Sequence, residues 1–323
     1  MLTLICCACA GAVAAVYLTL KSPRLRSALK PAYRATAYRV LTALGRNPAH
    51  APPEIASRMV ANAKTQRDLA RTSRIVQREA DLILLETPLG RFWIPEMDRA
   101  GHDDFLLMVA EQLDNHYQYE GGAFVLDCGA NLGTFTRMAL IRGAKVVVAI
   151  EPAPDVVRCL RKTFAEEISL GRVILEQKGV WKNEDRLFLK TSEKSWENTI
   201  AATGGGQDGS WVALVTIDKM VADLKLPSVD FIKMDIEGAE VDALAGAEAT
   251  IRNHRPTVSV ATEHTADIWN NSLAVVRKIR AFGPYSEDCI AALIDRTRPV
   301  LGMMLPRRVV PGVMLFRPKR PDM

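Results

Sequence analysis

Asp127, Gly129, Asn131 and Gly133 occupy every second position after the apolar run Phe124-Val125-Leu126 and just before Thr134-Phe135-Thr136. A short buried strand, an acid, a glycine-rich turn and a helix start form the arrangement that holds a nucleoside-bearing cofactor at the end of a parallel strand. The spacing D-x-G-x-N-x-G narrows the choice of cofactor. A dinucleotide site needs G-x-G-x-x-G, and Asn131 and Thr134 stand where its second and third glycines belong. No Gly-Lys-Ser/Thr follows, which excludes a Walker loop. Asp127 lies ahead of the glycines, where a carboxylate can accept hydrogen bonds from a cationic, amine-bearing ligand. S-adenosylmethionine meets that demand better than a pyrophosphate does.

Two further groups of residues could carry chemistry. Glu151 stands 24 residues after Asp127, at the end of the apolar run Val146–Ile150. In nucleotide-binding α/β folds an acid about 20 residues past the glycine turn accepts the ribose hydroxyls. The run Lys233-Met-Asp-Ile-Glu-Gly-Ala-Glu240 places Asp235 at a strand end, with Glu237 and Glu240 close behind. The helix dipole accounts for acids at a helix start, such as Glu237 or Glu240, but less easily for Asp235. Glu263-His264 follows a later strand. His264 has an unperturbed pKa near neutrality and reads equally as a general base or as a structural histidine. Asp235, Glu237, Glu263 and His264 could instead ligate a divalent metal, although strand-tip acids are more often solvated or cofactor-facing, and the favoured reading has no metal.

Apolar runs of strand length alternate with helical patterns around these residues, which predicts an α/β fold with a mainly parallel sheet. The parallel strands are expected at 123–126, 145–150, 172–176, 229–234 and 257–261, with 290–294 and 312–316 as the last two. Helices are expected at 134–142, 155–167, 239–252 and 272–281. A hairpin at 81–95 turns on Thr87-Pro-Leu-Gly90, and a helix at 103–119 precedes the first parallel strand. The region 186–217 reads as an insertion of two strands around a loop made flexible by Gly204-Gly205-Gly206.

Asp127-Cys-Gly-Ala-Asn-Leu-Gly133, Glu151-Pro152, Val215-Thr-Ile-Asp218 and Asp230-Phe-Ile-Lys-Met-Asp-Ile-Glu-Gly-Ala-Glu240 together resemble the FkbM family, class I S-adenosylmethionine-dependent methyltransferases. Four motifs in order make the resemblance specific, and it covers about residues 81 to 317. It implies a Rossmann-like seven-stranded sheet flanked by helices and O-methylation, often of a sugar or polyketide hydroxyl. It also implies a cofactor site of Asp127, Gly129, Ala130, Asn131, Gly133, Glu151, Gly179 and Val180, with Gly179-Val180-Trp181 where the adenine would pack. Asp235 and His264 are then the first candidates for the base, with Glu237 and Glu263 as neighbours. The flexible loop segment Ser195–Asn198 is a candidate cover for the acceptor. Cys128 stands where a small aliphatic residue is common, and Thr262-Glu263-His264 departs somewhat from the usual strand ending. A methyltransferase-like binding or scaffold protein without turnover is the alternative reading. An NAD-dependent oxidoreductase is disfavoured by the missing glycines.

Composition separates the chain into three parts. Leu2–Leu20 contains no charged residue, which is about the minimum length for a membrane-spanning helix. Lys21, Arg24, Arg26 and Lys30 follow it, and no cation precedes it, so residues 1–20 read as a retained anchor rather than a secretory signal. Positive charge on that flank predicts a cytoplasmic body. Residues 21–80 read as a basic, mostly helical connector, with thirteen Lys/Arg against three Asp/Glu. The whole chain carries +5, so the methyltransferase body at 81–323 is near −5, which argues against a nucleic-acid partner. The expected partners are a small-molecule, glycan or lipid methyl acceptor and the membrane. The six cysteines show no zinc spacing and read as free thiols in a reducing compartment.

Overall fold

A computed structural model describes residues 65–190, 200–201, 209–294 and 309–319. The expected anchor at 1–20, most of the connector and the loop segment Ser195–Asn198 lie outside the described residues. Among the described residues no helix is long and apolar enough to cross a membrane.

The centre of the fold is a seven-stranded sheet. Its strands are β4 (Phe124–Cys128), β5 (Val146–Ile150), β6 (Val173–Glu176), β11 (Phe231–Met234), β12 (Thr257–Ala261), β13 (Tyr285–Ile294) and β14 (Val309–Pro318), in the order β13-β14-β12-β11-β4-β5-β6. Strands β4, β5, β6, β11 and β12 pair parallel, and β14 runs antiparallel to both β12 and β13. This is the mostly parallel, Rossmann-like sheet that the alternating pattern predicts.

Side chains alternate between two cores. Val125, Val147, Ala149 and Phe231 face one apolar cluster, while Leu126, Val148, Ile150, Ile232, Val258 and Val260 face the other. A strand buried on both faces has to be apolar at successive positions, which is why these strands read as unbroken apolar runs. Helices α1 (Arg99–Leu113), α2 (Thr134–Ile141), α3 (Pro154–Thr163) and α4 (Ala165–Ser169) precede β6. Helices α5 (Ile217–Asp223), α6 (Glu240–Ala245), α7 (Glu248–His254) and α8 (Ile268–Phe282) follow the inserted strands.

Several elements differ from the sequence expectation, each for a visible reason. Residues 74–79, inside the segment expected to be a mostly helical connector, form strand β1 (Arg74–Glu79), which pairs with β2 (Leu82–Thr87) of the predicted hairpin. β3 (Gly90–Pro95) completes this small sheet. It docks on α3, where Lys162 pairs with Glu79 at 2.7 Å and Thr163 Oγ1 accepts a 2.8 Å bond from the Trp93 N–H. Helix α1 starts earlier and ends earlier than predicted. Asp98 caps its first turn by accepting from the Gly101 N–H, and after Leu113 the chain turns with Asn115 and Gln118 at positive φ. This frees Tyr117 and Tyr119 from the helix pattern. The helix expected at 239–252 is two helices. Asp218 accepts from the N–H groups of Ala249 and Thr250 at 3.0 and 2.7 Å and so caps α7 separately.

The inserted region is a second small sheet of β7 (Gly179–Val180), β8 (Asp185–Lys190), β9 (Ile200–Ala201) and β10 (Gly209–Val215). Its strand β7 pairs parallel with the end of β10.

Candidate functional site

The chain crosses between β4 and β11 at the point where strand order reverses, and the carboxyl ends of these strands open into a crevice there. A cleft of about 1000 Å³ occupies it, continuous with solvent. Gly129, Ala130, Asn131, Glu151, Gly179 and Val180 of the predicted cofactor residues lie in its wall, as do Asp235 and Glu237. Asp127, Gly133 and His264 do not.

The glycine turn shows why two of its residues admit no side chain. Gly129 takes φ +77°, and a Cβ there would sit 1.9 Å from the Asp235 carbonyl oxygen. The turn after β4 therefore presses directly on the end of β11 with its backbone bare to the cleft. Gly133, at φ +83°, starts α2, and a Cβ would fall 2.4 Å from the Phe164 ring. Its role is packing of the turn onto the end of α3.

Asp127 sits behind the cleft and not in its wall. It is fully buried, accepts a 2.6 Å bond from the Thr136 hydroxyl, and forms an ion pair with Lys233 at 3.2 Å. The cation it meets is the chain's own lysine, so the expected direct contact with a ligand amine is replaced by an internal pair. Burial opposes the Lys233 charge, but Asp127 and Asp235 outweigh it and raise the ammonium pKa. Lys233 Nζ also donates to the Gly129 carbonyl at 2.5 Å, which ties the turn to β11.

Glu151 holds the other side of the cleft. Its two carboxylate oxygens accept from the Asn131 and Ala153 N–H groups, each at 3.0 Å. Each oxygen keeps a lone pair for a further donor. Burial pushes its pKa up to about 7, against the pull of those two N–H groups.

Asp235 is committed on both oxygens. Tyr117 donates to Oδ2 at 2.6 Å, and His264 Nε2 lies 2.8 Å from Oδ1. The second ring nitrogen of His264 is 3.1 Å from Glu237 Oε2. Burial would raise the Asp235 pKa, but the His264 bond and the Lys233 charge overcome it and hold the carboxyl well below the usual range. The same contacts act on His264. Burial opposes its charge, yet its bonds to Asp235 and Glu237 push its pKa up to about 11. Of the two readings of His264, base and structural histidine, the contacts favour the second, because an imidazolium between two carboxylates has no free lone pair. Its geometry makes it an orienting group for Asp235. Glu237 itself takes φ +58°, and the turn around it is fixed by Glu240, which accepts from the Ile236 and Gly238 N–H groups at 3.1 and 3.2 Å.

The fold adds residues that the motifs did not mark. Tyr117 reaches Asp235 from the loop after α1. Glu111 and Gln112, in the last turn of α1, also line the cleft. Helical periodicity marked this segment only as an amphipathic helix, and no local signal separates a cleft-facing acid from a solvated one. Among the described residues no group of three or more His, Cys, Asp or Glu side chains is arranged to hold a metal.

Residues 127–284 match the model of the methyltransferase FkbM domain. No curated protein matches the chain. Among solved structures, the methyltransferase FkbM of Methylobacillus flagellatus is similar with TM-score 0.42 and 17% identity, covering 80% of this chain and 60% of that one. The chain thus spans less than two thirds of that relative's length. A Thermotoga maritima S-adenosylmethionine-dependent O-methyltransferase gives TM-score 0.35 and 11% identity over 74% of this chain and 79% of its own. The Pyrococcus abyssi tRNA (uracil-54, C5)-methyltransferase in complex with S-adenosyl-L-homocysteine gives 0.33 and 12% over 65% and 38%.

The cofactor that goes with the matched domain is S-adenosylmethionine, and the residues present fit it. Glu151 has spare acceptors for a ribose diol, Ile150 and Val180 offer apolar surface to a base, and the bare Gly129 backbone allows close approach.

Proposed function

We propose that this chain, whose residues 127–284 belong to the FkbM methyltransferase family, transfers the methyl group of S-adenosylmethionine to a hydroxyl of a sugar, lipid or other small molecule. The observation that carries this reading is the division of the cleft. One half suits a nucleoside. The other presents hydrogen-bond acceptors from Glu111 and Gln112, with the Asp235 and Glu237 carboxylates beside them. Acceptors in that number favour a hydroxyl-bearing substrate, and the carboxylates repel the phosphates of a nucleic acid.

When bound, the cofactor supplies a methyl group on a sulfonium, open to in-line attack by the acceptor oxygen. The chain's own work is placement. Glu151 holds the ribose. Asp235 stays ionised because Tyr117 and His264 grip it, and a fixed carboxylate there draws in and orients a cation. Methylation of lipid, glycan and small-molecule extracts, followed by mass spectrometry, tests the reading. The expected result is a species heavier by one CH2 that needs both the chain and Asp235. Binding of S-adenosylmethionine with no methylated product from any extract would instead make the chain a binding protein.

The sequence supports a single-pass anchor at residues 1–20 with the body in the cytoplasm. Protease added outside intact cells should spare the body, and its digestion would refute this placement.

A further inference from the structure

We propose that Glu111 is the base that takes the acceptor hydroxyl's proton, while the neighbouring Gln112 side-chain oxygen binds a second donor of the same substrate. This rests on the methyl-transfer reading above. The groups otherwise suited to the task are already occupied. Asp235 is held ionised by its bonds to His264 and Tyr117 and by the Lys233 charge, which makes it a weak base; His264 is held as a cation, and Glu237 contacts the His264 ring. Glu263 does not line the cleft. Glu111 lines the cleft, half-buried, and its carboxylate makes no hydrogen bond or ion pair among the described residues.

Gln112 supplies the independent observation. It is 3% exposed, it lines the same cleft, and its Oε1 has no hydrogen-bond partner. A buried acceptor left empty costs free energy unless water or a ligand fills it, and a substrate donor can take the place of that water. An acceptor and a base side by side match a substrate with two neighbouring donors, such as the vicinal hydroxyls of a sugar or polyol.

The charged groups around Glu111 suit the task. Asp235, from the end of β11, and Glu263, from the end of β12, act on it with like charge, Tyr117 acts on it from its own loop, and Glu237 lines the same cleft. Burial, then the charges of Glu263 and Asp235, push the Glu111 pKa up to about 8. A carboxylate with such a pKa is a far better base than an ordinary one and is still partly ionised at neutral pH. In the transfer, the oxygen–methyl bond forms as the methyl–sulfur bond breaks. The sulfur keeps that electron pair, and the hydroxyl proton moves to Glu111.

The test compares full-length wild type with Glu111→Gln and Glu111→Asp. Calorimetry with S-adenosylmethionine reads affinity and, in two buffers near neutral pH, proton release. Transfer of labelled methyl into lipid, glycan and small-molecule extracts reads turnover. Glu111→Gln should keep affinity within about threefold and lose roughly 100-fold or more in transfer, with Glu111→Asp recovering part of it. Proton release on binding should fall in Glu111→Gln, since a bound sulfonium draws the proton off Glu111. Wild-type transfer at limiting S-adenosylmethionine, which reads the free chain, should rise with pH to a plateau above about 8. Unchanged transfer or unchanged proton release in Glu111→Gln overturns the role of Glu111 alone. A wild-type chain that does not bind S-adenosylmethionine overturns the methyl-transfer reading and this role with it, and one that binds but transfers nothing also overturns both.

Discussion

Asp127 and Asp235, both strand-end acids flanking Lys233 in space, have opposite assignments in the fold. Asp127 is sealed behind the glycine turn as the partner of Lys233, and Asp235 faces the cleft. Lys233→Met leaves Asp127 buried without its cation, so a stability loss of about 3–5 kcal/mol is expected by denaturant titration. A loss under about 1 kcal/mol would mean that the pair does not hold the turn. Tyr117→Phe removes one charge-assisted bond to Asp235 and should cost roughly 1.5–3 kcal/mol in the same assay. Glu111 gives the opposite sign. Its folded pKa is raised, so the stability its protonated form contributes is present at acid pH and is lost as pH climbs from the ordinary carboxylate value through about 8. Glu111→Gln should therefore raise Tm in alkaline buffer by roughly 3–6 °C and leave it nearly unchanged in acid. A lower Tm in alkaline buffer would mark Glu111 as a structural residue. The D-x-G-x-N-x-G spacing and Glu151 made the cofactor half of the cleft legible in the sequence. Glu111, Gln112 and Tyr117 were not legible, because their place in the site depends on how α1 and its loop fold back over β11, more than a hundred residues away along the chain.

At the scale of elements, the glycine turn and the end of β11 form one device. Gly129→Ala would force a methyl group into the Asp235 carbonyl, on a backbone already at positive φ. Gly143 also has positive φ, +96°, but a Cβ there meets nothing within 4 Å. Gly143→Ala should cost roughly 1 kcal/mol, and Gly129→Ala should cost several times as much and weaken cofactor binding. Equal losses in thermal melts would show that backbone conformation alone, and not the contact with β11, sets the need for glycine. The parallel strands were legible because both of their faces are buried and their residues are apolar throughout. The break between α6 and α7 and the early end of α1 were not. They are set by Asp218, which reaches from α5 to cap α7, and by turns at Asn115 and Gln118, and these are contacts or conformations that periodicity does not carry.

For the whole molecule, the sheet brings residues from β4, β5, β11 and the loop after β12 to one edge, and α1 closes the far side. Strand β1 belongs with this body through its pairing to β2, although its basic residues had grouped it with the N-terminal arm. The central claim is that this edge is an S-adenosylmethionine site with Glu151 as the ribose acceptor. Calorimetric titration of the full-length chain and of Glu151→Ala with S-adenosylmethionine tests it most directly. The account predicts one site per chain, with affinity falling about 10- to 100-fold in the variant as the ribose loses its charged acceptor. No binding by the wild type, or equal affinity in Glu151→Ala, would contradict it.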